Sequence, residues 1–139
     1  MATIFEKLNL KDQQEIVVLN VPQSFEPEVA KLPVKTIHHT LSSVPKVEFF
    51  LAFVTLKSEV DSLASQVAKR SPGDAIIWFA YPKGTSKKYK CDFNRDNGWD
   101  ALSALGFETV RAVAIDEDWS ALRLRRSEFI KSRGKELRE

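Results

Sequence analysis

Apolar residues along the chain form a series of short blocks, each bounded by proline, glycine or charged residues. Seven consecutive apolar or aromatic residues at 75–81 are typical of a strand that is buried on both faces of a parallel sheet. Blocks at 15–21 and 47–54 have the same character and predict two more central strands. A sparser block at 34–40 predicts an edge strand. These blocks predict a sheet built around residues 75–81.

Segments between the blocks have the apolar spacing of three and four residues that is typical of helices. The clearest lies at 56–70, where Thr55 is placed to cap the first turn. Pro27 suits the first turn of a short helix after the first strand. Asn94 or Asp96 is expected to cap a later helix that Gly106 ends. The apolar side of that helix is expected to consist of Trp99, Leu102 and Leu105.

The last part of the chain predicts a hairpin. Residues 107–115 form a strand, Asp116, Glu117 and Asp118 form a turn, and residues 119–125 alternate between apolar and polar. A turn this short permits only antiparallel pairing. The elements together predict an α/β fold: a single three-layer Rossmann-like domain over residues 1–126, with a charged tail over 127–139. Its sheet is expected to be mostly parallel, with about six strands and a C-terminal antiparallel hairpin.

Length and composition exclude several classes of protein. A chain of 139 residues with 43% hydrophobic content is of single-domain size. Cys91 is the only cysteine, which excludes an internal disulfide and a multi-cysteine metal site within one chain. No apolar run approaches the roughly 20 residues that span a bilayer, and the first residues do not resemble a signal peptide. We therefore expect a cytoplasmic protein.

The net charge is only +2, but charged residues are unevenly distributed. Residues 83–95 carry five Lys or Arg against one Asp or Glu, and residues 96–122 carry one against six. Residues 123–139 carry seven against three. Such blocks either form a basic face for a polyanion or neutralise one another in the fold. The isoelectric point of about 8.7 favours neutralisation, because dedicated nucleic-acid domains usually exceed about 9.

Three short motifs stand out in the second half of the chain. They are Trp-Phe-Ala-Tyr-Pro-Lys at 78–83, Asp-x-x-Trp at 96–99 and Ala-Ile-Asp-Glu-Asp-Trp-Ser-Ala-Leu-Arg at 114–123. They resemble the signatures of an uncharacterised bacterial family, a domain of unknown function, usually written W-x-x-(Y/W)-P-K and A-(I/V)-D-x-x-W-S-(A/G)-L-(R/K). The resemblance covers about residues 8–126 and implies a family without implying an activity.

The element order is similar to the methyltransferase-like branch of Rossmann folds, in which the last strand is inserted antiparallel beside its predecessor. This similarity implies the strand order 2-1-3-4-6-5 and a glycine-rich turn after the first strand that approaches S-adenosylmethionine. Here that turn begins at Asn20, Pro22 removes an amide donor, and no glycine precedes Gly73. We therefore expect no bound cofactor.

Lys83 directly follows the central strand, and ligands of open α/β sheets lie beyond the carboxyl ends of the strands. It is the residue we expect to bind a ligand, facing Asn20 and Trp119. Lys87 and Lys88 continue the basic loop and could bind a phosphate or a nucleic-acid backbone. The loop lacks the spacing of a P-loop, so an ordinary solvated loop is the alternative.

The acidic turn has two possible roles. Asp at a turn is ordinary turn chemistry, whereas three carboxylates could hold a hard cation if other oxygen ligands were supplied. In a structural version, Asp116 or Asp118 pairs with Arg123 or Arg125 across the hairpin.

The remaining candidates for chemistry lack the neighbours that they need. His38 and His39 are adjacent on a strand and point to opposite faces, so we predict no metal site. Nearby lysines could lower the pKa of Cys91, but no base accompanies it, and we expect an inert thiol. Trp78 is expected in the core, and Trp119 either in the core or against a pocket. We find no catalytic spacing and assign no catalytic residue.

Three functions remain open at this point. The first is a non-catalytic module that binds a partner or an anionic ligand at the carboxyl edge of the sheet. The second is a nucleotide- or S-adenosylmethionine-binding protein of methyltransferase type that uses Asn20, Lys83 and Trp119. The third is a nucleic-acid binder through residues 83–90, whose affinity would fall steeply with salt.

Overall fold

The computed structural model describes residues 4–8, 10, 15–32, 36–41, 46–71, 74–87, 89–93 and 98–129. Six strands lie in one sheet. In chain order they are β1 (Glu15–Leu19), β2 (Thr36–His38), β3 (Phe49–Phe53), β4 (Ile76–Pro82), β5 (Phe107–Ala114) and β6 (Trp119–Arg126). Their order across the sheet is β2-β1-β3-β4-β6-β5, which confirms the predicted order and the Rossmann-like α/β fold class.

The first four strands are parallel, and the last two are antiparallel to their neighbours. β1 pairs with β2 and β3, and β3 pairs with β4, all in parallel. β6 enters between β4 and β5 and pairs antiparallel with both. All five residues of β3 are buried, as expected of a strand that is covered on both faces.

Helices cover both faces of the sheet. They are α1 (Ile4–Lys7), α2 (Glu26–Ala30), α3 (Lys57–Arg70) and α4 (Asp100–Ala104), with 3₁₀ turns at Gln23–Phe25 and Ser127–Phe129. Successive strand residues point to opposite faces, so β4 contributes Phe79 to the core on the α3 side and Trp78 to the core on the other side. In the described chain, no helix is both long enough and apolar enough to cross a membrane.

The start of α3 is capped by Glu59. Its Oε1 accepts hydrogen bonds from the backbone N–H groups of Thr55 at 2.8 Å and Leu56 at 3.0 Å. The prediction that the Thr55 side chain caps this helix is therefore wrong. The Thr55 hydroxyl itself donates to Glu59, because the carboxylate reaches back from the first turn to the amides before it.

The later helix is shorter than predicted. α4 begins after Trp99, and the predicted caps Asn94 and Asp96 lie outside the described residues. Trp99 and Leu102 are buried as predicted, whereas Leu105 is 42% exposed because the helix ends before it can turn inward. Gly106 ends the helix with φ +91°, a left-handed conformation that glycine adopts without a steric penalty.

The predicted ion pairs across the hairpin are wrong. Arg125 binds Asp74 instead, through two hydrogen bonds of 2.8 and 2.7 Å from Nε and Nη2. The Oδ1 atom of Asp116 accepts bonds from the backbone N–H groups of Asp118 and Trp119 at 2.8 and 2.9 Å. This is the ordinary turn chemistry that the sequence also suggested.

Arg126 ties β6 to the end of α3. Its Nη2 donates to the carbonyl oxygens of Ala68 at 3.0 Å and Ser71 at 2.7 Å, where a helix end leaves acceptors free. The guanidinium carbon lies 4.7 Å from the centre of the Phe107 ring. The inserted strand is thus held by a side chain as well as by its backbone.

The cap by Glu59 predicts a measurable loss of stability. Replacing Glu59→Ala leaves two amides at the start of α3 without acceptors and should lower the free energy of unfolding by about 1 kcal/mol. Urea denaturation followed by circular dichroism measures the change. Ser65→Ala, an exposed position in the same helix, should be neutral or slightly stabilising. Equal stability of Glu59→Ala and the wild type would show that water satisfies these amides.

Candidate functional site

A pocket of about 600 Å³ lies at the carboxyl end of β4. We call it the Lys83 pocket. Its lining includes Lys83, Ser86, Tyr89, Lys90, Cys91 and Phe93, together with Tyr81 from β4 and Ser120 from β6. The position agrees with the rule that ligands of open α/β sheets lie beyond the strand ends.

The acidic turn holds the loop that forms this pocket. The backbone N–H of Lys83 donates to the carbonyl of Asp118 at 2.8 Å, and the Ser86 hydroxyl donates to Asp118 Oδ1 at 2.9 Å. The Ser86 oxygen in turn accepts a bond from the Tyr89 N–H at 3.1 Å. The acidic turn therefore supports the basic loop.

Aromatic rings form one wall of the Lys83 pocket. Tyr81 and Phe93 line it, with ring centres 5.9 Å apart, and Trp99 packs behind both at 5.8 and 5.2 Å. Tyr89 lines the pocket as well, and its ring lies 4.9 Å from that of Trp119. Each ring of the wall therefore packs against at least one other aromatic ring.

Trp119 lies in the core beneath the pocket. It is 3% exposed and packs edge-on against Phe53 at 5.1 Å. Its ring does not line the Lys83 pocket, but it packs against Tyr89, and Trp119 lies opposite Pro82, which also lines the pocket. Of the two roles left open for Trp119, the structure places it in the core.

Asn20 lies in a different place from Lys83. It lines a second pocket of about 410 Å³, the Asn20 pocket, with His39, Thr40 and Glu59 among its other residues. Asn20 Nδ2 donates to the carbonyl of Phe53 at 3.2 Å. The structure therefore does not bring Asn20 and Lys83 together.

The turn after β1 adopts a left-handed conformation without glycine. Asn20 has φ +58°, a region that asparagine tolerates better than most residues. The missing glycine therefore does not prevent this backbone geometry. Pro22 still provides no amide to a ligand.

The lysines of the loop differ in position. Lys83 is half-buried and Lys90 is exposed, and both line the pocket. Lys87 is exposed and lies outside the lining, and Lys88 lies outside the described residues. Within the described chain, Lys83, Lys87 and Lys90 form no ion pair. Two amines of the pocket are thus free to bind an anion.

Cys91 lines the pocket with its thiol in the protonated form. Burial raises the pKa of the Cys91 thiol above its usual range, against a smaller lowering by a hydrogen bond with the Phe93 backbone. The suggestion that nearby lysines lower this pKa is therefore wrong. Desolvation is the stronger effect, because it disfavours the charged thiolate.

The two histidines have separate partners. His38 Nε2 lies 3.1 Å from Glu15 Oε1, and His39 Nδ1 lies 3.0 Å from the carbonyl oxygen of Val18. Among the residues that the structure describes, no group of three His, Cys, Asp or Glu could hold a metal ion.

The sequence pointed to Lys83, which directly follows an apolar block, and to the basic loop at 83–90 as a whole. It did not indicate that Phe93 and Ser120 line the same pocket. The loop lies beside the acidic turn because it folds back onto it, through a hydrogen bond that joins residues 32 positions apart.

Solved methyltransferases share this fold. A SAM-dependent methyltransferase from Aquifex aeolicus aligns with a TM-score of 0.59 and 12% identity, over 88% of this chain and 87% of that one. Magnesium protoporphyrin IX methyltransferase from Synechocystis, solved with bound SAM, gives 0.56 and 10% over 89% and 74%. The fibrillarin pre-rRNA processing protein of Methanococcus jannaschii gives 0.54 and 12% over 84% and 67%. At these identities the likeness shows the fold alone.

The sequence matches no protein-family model and no curated protein sequence. The resemblance of the three signature motifs to an uncharacterised bacterial family therefore stays a prediction.

The raised pKa of Cys91 predicts slow alkylation. The rate of reaction with iodoacetamide should rise at a higher pH for the folded chain than for the same chain unfolded in urea, because only the thiolate reacts and burial disfavours it. Mass spectrometry reports the reaction unambiguously, since the chain has one cysteine. A pH profile of the folded chain at or below that of the unfolded chain would mean that the lysines, not burial, control this group.

Proposed function

We propose that this chain is a methyltransferase-fold domain that binds a nucleotide-like ligand in the Lys83 pocket. The observation that carries the proposal is the combination, in one pocket at the carboxyl end of β4, of two amines that form no ion pair with a described residue and an aromatic wall. A volume of about 600 Å³ lies within the range of small-molecule sites, roughly 300–1,000 Å³.

The amines suit the phosphate end of such a ligand. Lys83 and Lys90 line the same pocket, and ammonium groups bind phosphate as point charges. The hydroxyls of Ser86 and Ser120 lie in the same lining and offer further hydrogen-bonding groups. No Asp or Glu is among the described lining residues, so the described part of the lining contains no negative charge that would repel an anion.

The aromatic wall suits the base. Stacking of a base on an aromatic ring contributes about 1–3 kcal/mol. Tyr89 and Phe93 both line the pocket and are held by Trp119 and Trp99 respectively. A nucleotide would use both parts of the pocket, whereas a simple anion would use only the lysines.

The lining favours binding over reaction. Cys91 is protonated at neutral pH, and Asp118 already accepts the Ser86 hydroxyl. The described lining contains no histidine and no carboxylate that could transfer a proton. We therefore propose a binding role for this pocket.

The Asn20 pocket supports a second candidate, an S-adenosylmethionine site. Its supporting observation is the left-handed turn at Asn20, directly after β1, on a fold whose solved neighbours include SAM-dependent methyltransferases. Its lining is rich in neutral hydrogen-bonding side chains, including Thr40, Ser62 and Gln66. Pro22 is the feature that argues against it.

Calorimetric titration of the full chain tests the first candidate. ATP and AMP should bind, and Lys83→Ala should weaken ATP binding by roughly 10- to 100-fold, because it removes one charged contact of about 1.5–3 kcal/mol. Lys87→Ala is the matched control, because it removes the same charge from the same loop at a residue that does not line the pocket. It should change the affinity less than about twofold. Equal affinities of Lys83→Ala and wild type, or no nucleotide binding at millimolar concentration, would overturn the proposal.

S-adenosylmethionine provides the comparison arm. If the second candidate is right, the chain binds S-adenosylmethionine, and Lys83→Ala leaves the affinity for S-adenosylmethionine unchanged. Asn20→Gly keeps the left-handed turn while removing the side chain from the Asn20 pocket, and should weaken S-adenosylmethionine without changing ATP. The two candidates are thus separated by which variant affects which ligand.

A further inference from the structure

β5 has an open edge. Its one strand neighbour in the described sheet is β6, and five of its eight residues are exposed. An edge of this kind presents unpaired N–H and C=O groups that can pair with another strand. The exposed residues are Glu108, Thr109, Arg111, Ala112 and Ala114.

A β-bulge changes which residues of β5 share a face. Residues 109 and 111 lie opposite the consecutive residues 124 and 123, so Val110 is the extra residue. Glu108 lies opposite Arg125, and Arg111 lies opposite Arg123. Since Arg123 and Arg125 are two apart in a regular strand, Glu108 and Arg111 lie on the same face. Without the bulge they would point to opposite faces.

That face contains an uncompensated positive charge. Arg111 and Arg123 are directly opposite, and like charges in this position destabilise a sheet. Asp74 neutralises Arg125, but Arg111 has no ion pair within the described chain. Arg123 is half-buried, and its Nε atom has no hydrogen-bond partner. A carboxylate placed beside Arg111 from outside would relieve this repulsion.

The open backbone groups lie on either side of the bulge. Ser127 N–H donates to the Gly106 carbonyl at 2.9 Å, and residue 115 donates to residue 119 at 3.0 Å. Antiparallel pairs alternate between bonded and non-bonded. Phe107 and Ala112 therefore fall in non-bonded pairs of the hairpin, and their N–H and C=O groups point to the open edge.

We propose that β5 pairs antiparallel with β5 of a second copy of this chain about a two-fold axis, with Glu108 of each copy opposite Arg111 of the other. Phe107 then lies opposite Ala112, so the outward N–H and C=O groups of both residues find partners. Each edge is thus complementary to itself in charge and in backbone hydrogen bonding.

One strand pair buries little area, so the association should be weak. Interfaces below about 1,000 Å² are usually transient, and we expect dimers to form only toward the upper end of a micromolar concentration series. The inference is independent of the Lys83 pocket, which lies at the carboxyl end of β4.

Sedimentation velocity of the full chain from about 10 to 500 µM tests the proposal, with circular dichroism to confirm folding. Wild type should dimerise. Arg111→Glu and Glu108→Arg should each weaken dimerisation by at least about tenfold. Each substitution gives residues 108 and 111 the same charge, so that like charges face each other at both symmetry-related contacts of the dimer. The double exchange Glu108→Arg with Arg111→Glu should restore it, as should mixing the two single variants. Glu117→Arg, in the exposed acidic turn, changes the net charge as Glu108→Arg does and should still dimerise.

A wild type that stays monomeric at about 500 µM would overturn the proposal and would show that the bulge and the charges protect the edge from pairing. A dimer that survives both single variants, or is not restored by the double exchange, would overturn this register.

Discussion

The insertion of β6 between β4 and β5 is the constraint on which the rest of this structure depends. Antiparallel pairing brings Trp119 opposite Pro82, so the turn before β6 arrives beside the loop after β4. Only this arrangement lets Asp118 accept hydrogen bonds from Lys83 and Ser86. The same insertion buries Trp119 beneath Tyr89, which fixes the aromatic wall of the Lys83 pocket. Fold and pocket therefore share one cause.

The strands could be predicted from sequence because they depend on local signals, whereas their order across the sheet was predicted from the similarity to methyltransferase-like folds. Blocks of apolar residues gave the buried strands, and a three-residue acidic turn permitted only an antiparallel return. The cap of α3 was predicted wrongly, because threonine is a common capping residue and Thr55 precedes the helix. The hydrogen bonds that two amides donate to Glu59 depend on side-chain geometry, which the sequence pattern does not show. The exposed position of Leu105 depends in the same way on where α4 ends.

The site was harder to predict than the fold, because its residues meet through contacts that are distant in sequence. Lys83 follows β4 and Asn20 follows β1, and β3 lies between these two strands, which sets the strands about 10 Å apart across the sheet. The amide of Asn20 is also directed to Phe53. The sequence pattern shows that Asn20 and Lys83 both lie beyond the carboxyl ends of strands. It does not show that they line different pockets. The likeness to methyltransferases adds the fold and leaves the ligand to be found by experiment.

The late position of β6 in the chain also has a consequence for synthesis. β4 is apolar along its whole length, and its second edge stays open until residues 119–126 have been made. A nascent chain that has formed β1, β3 and β4 thus exposes a long hydrophobic edge, which is the kind of surface that promotes aggregation. The final strand closes that edge and leaves the charged, bulged β5 outermost. The open edge of β4 is therefore covered only when the last strand of the described sheet has been made.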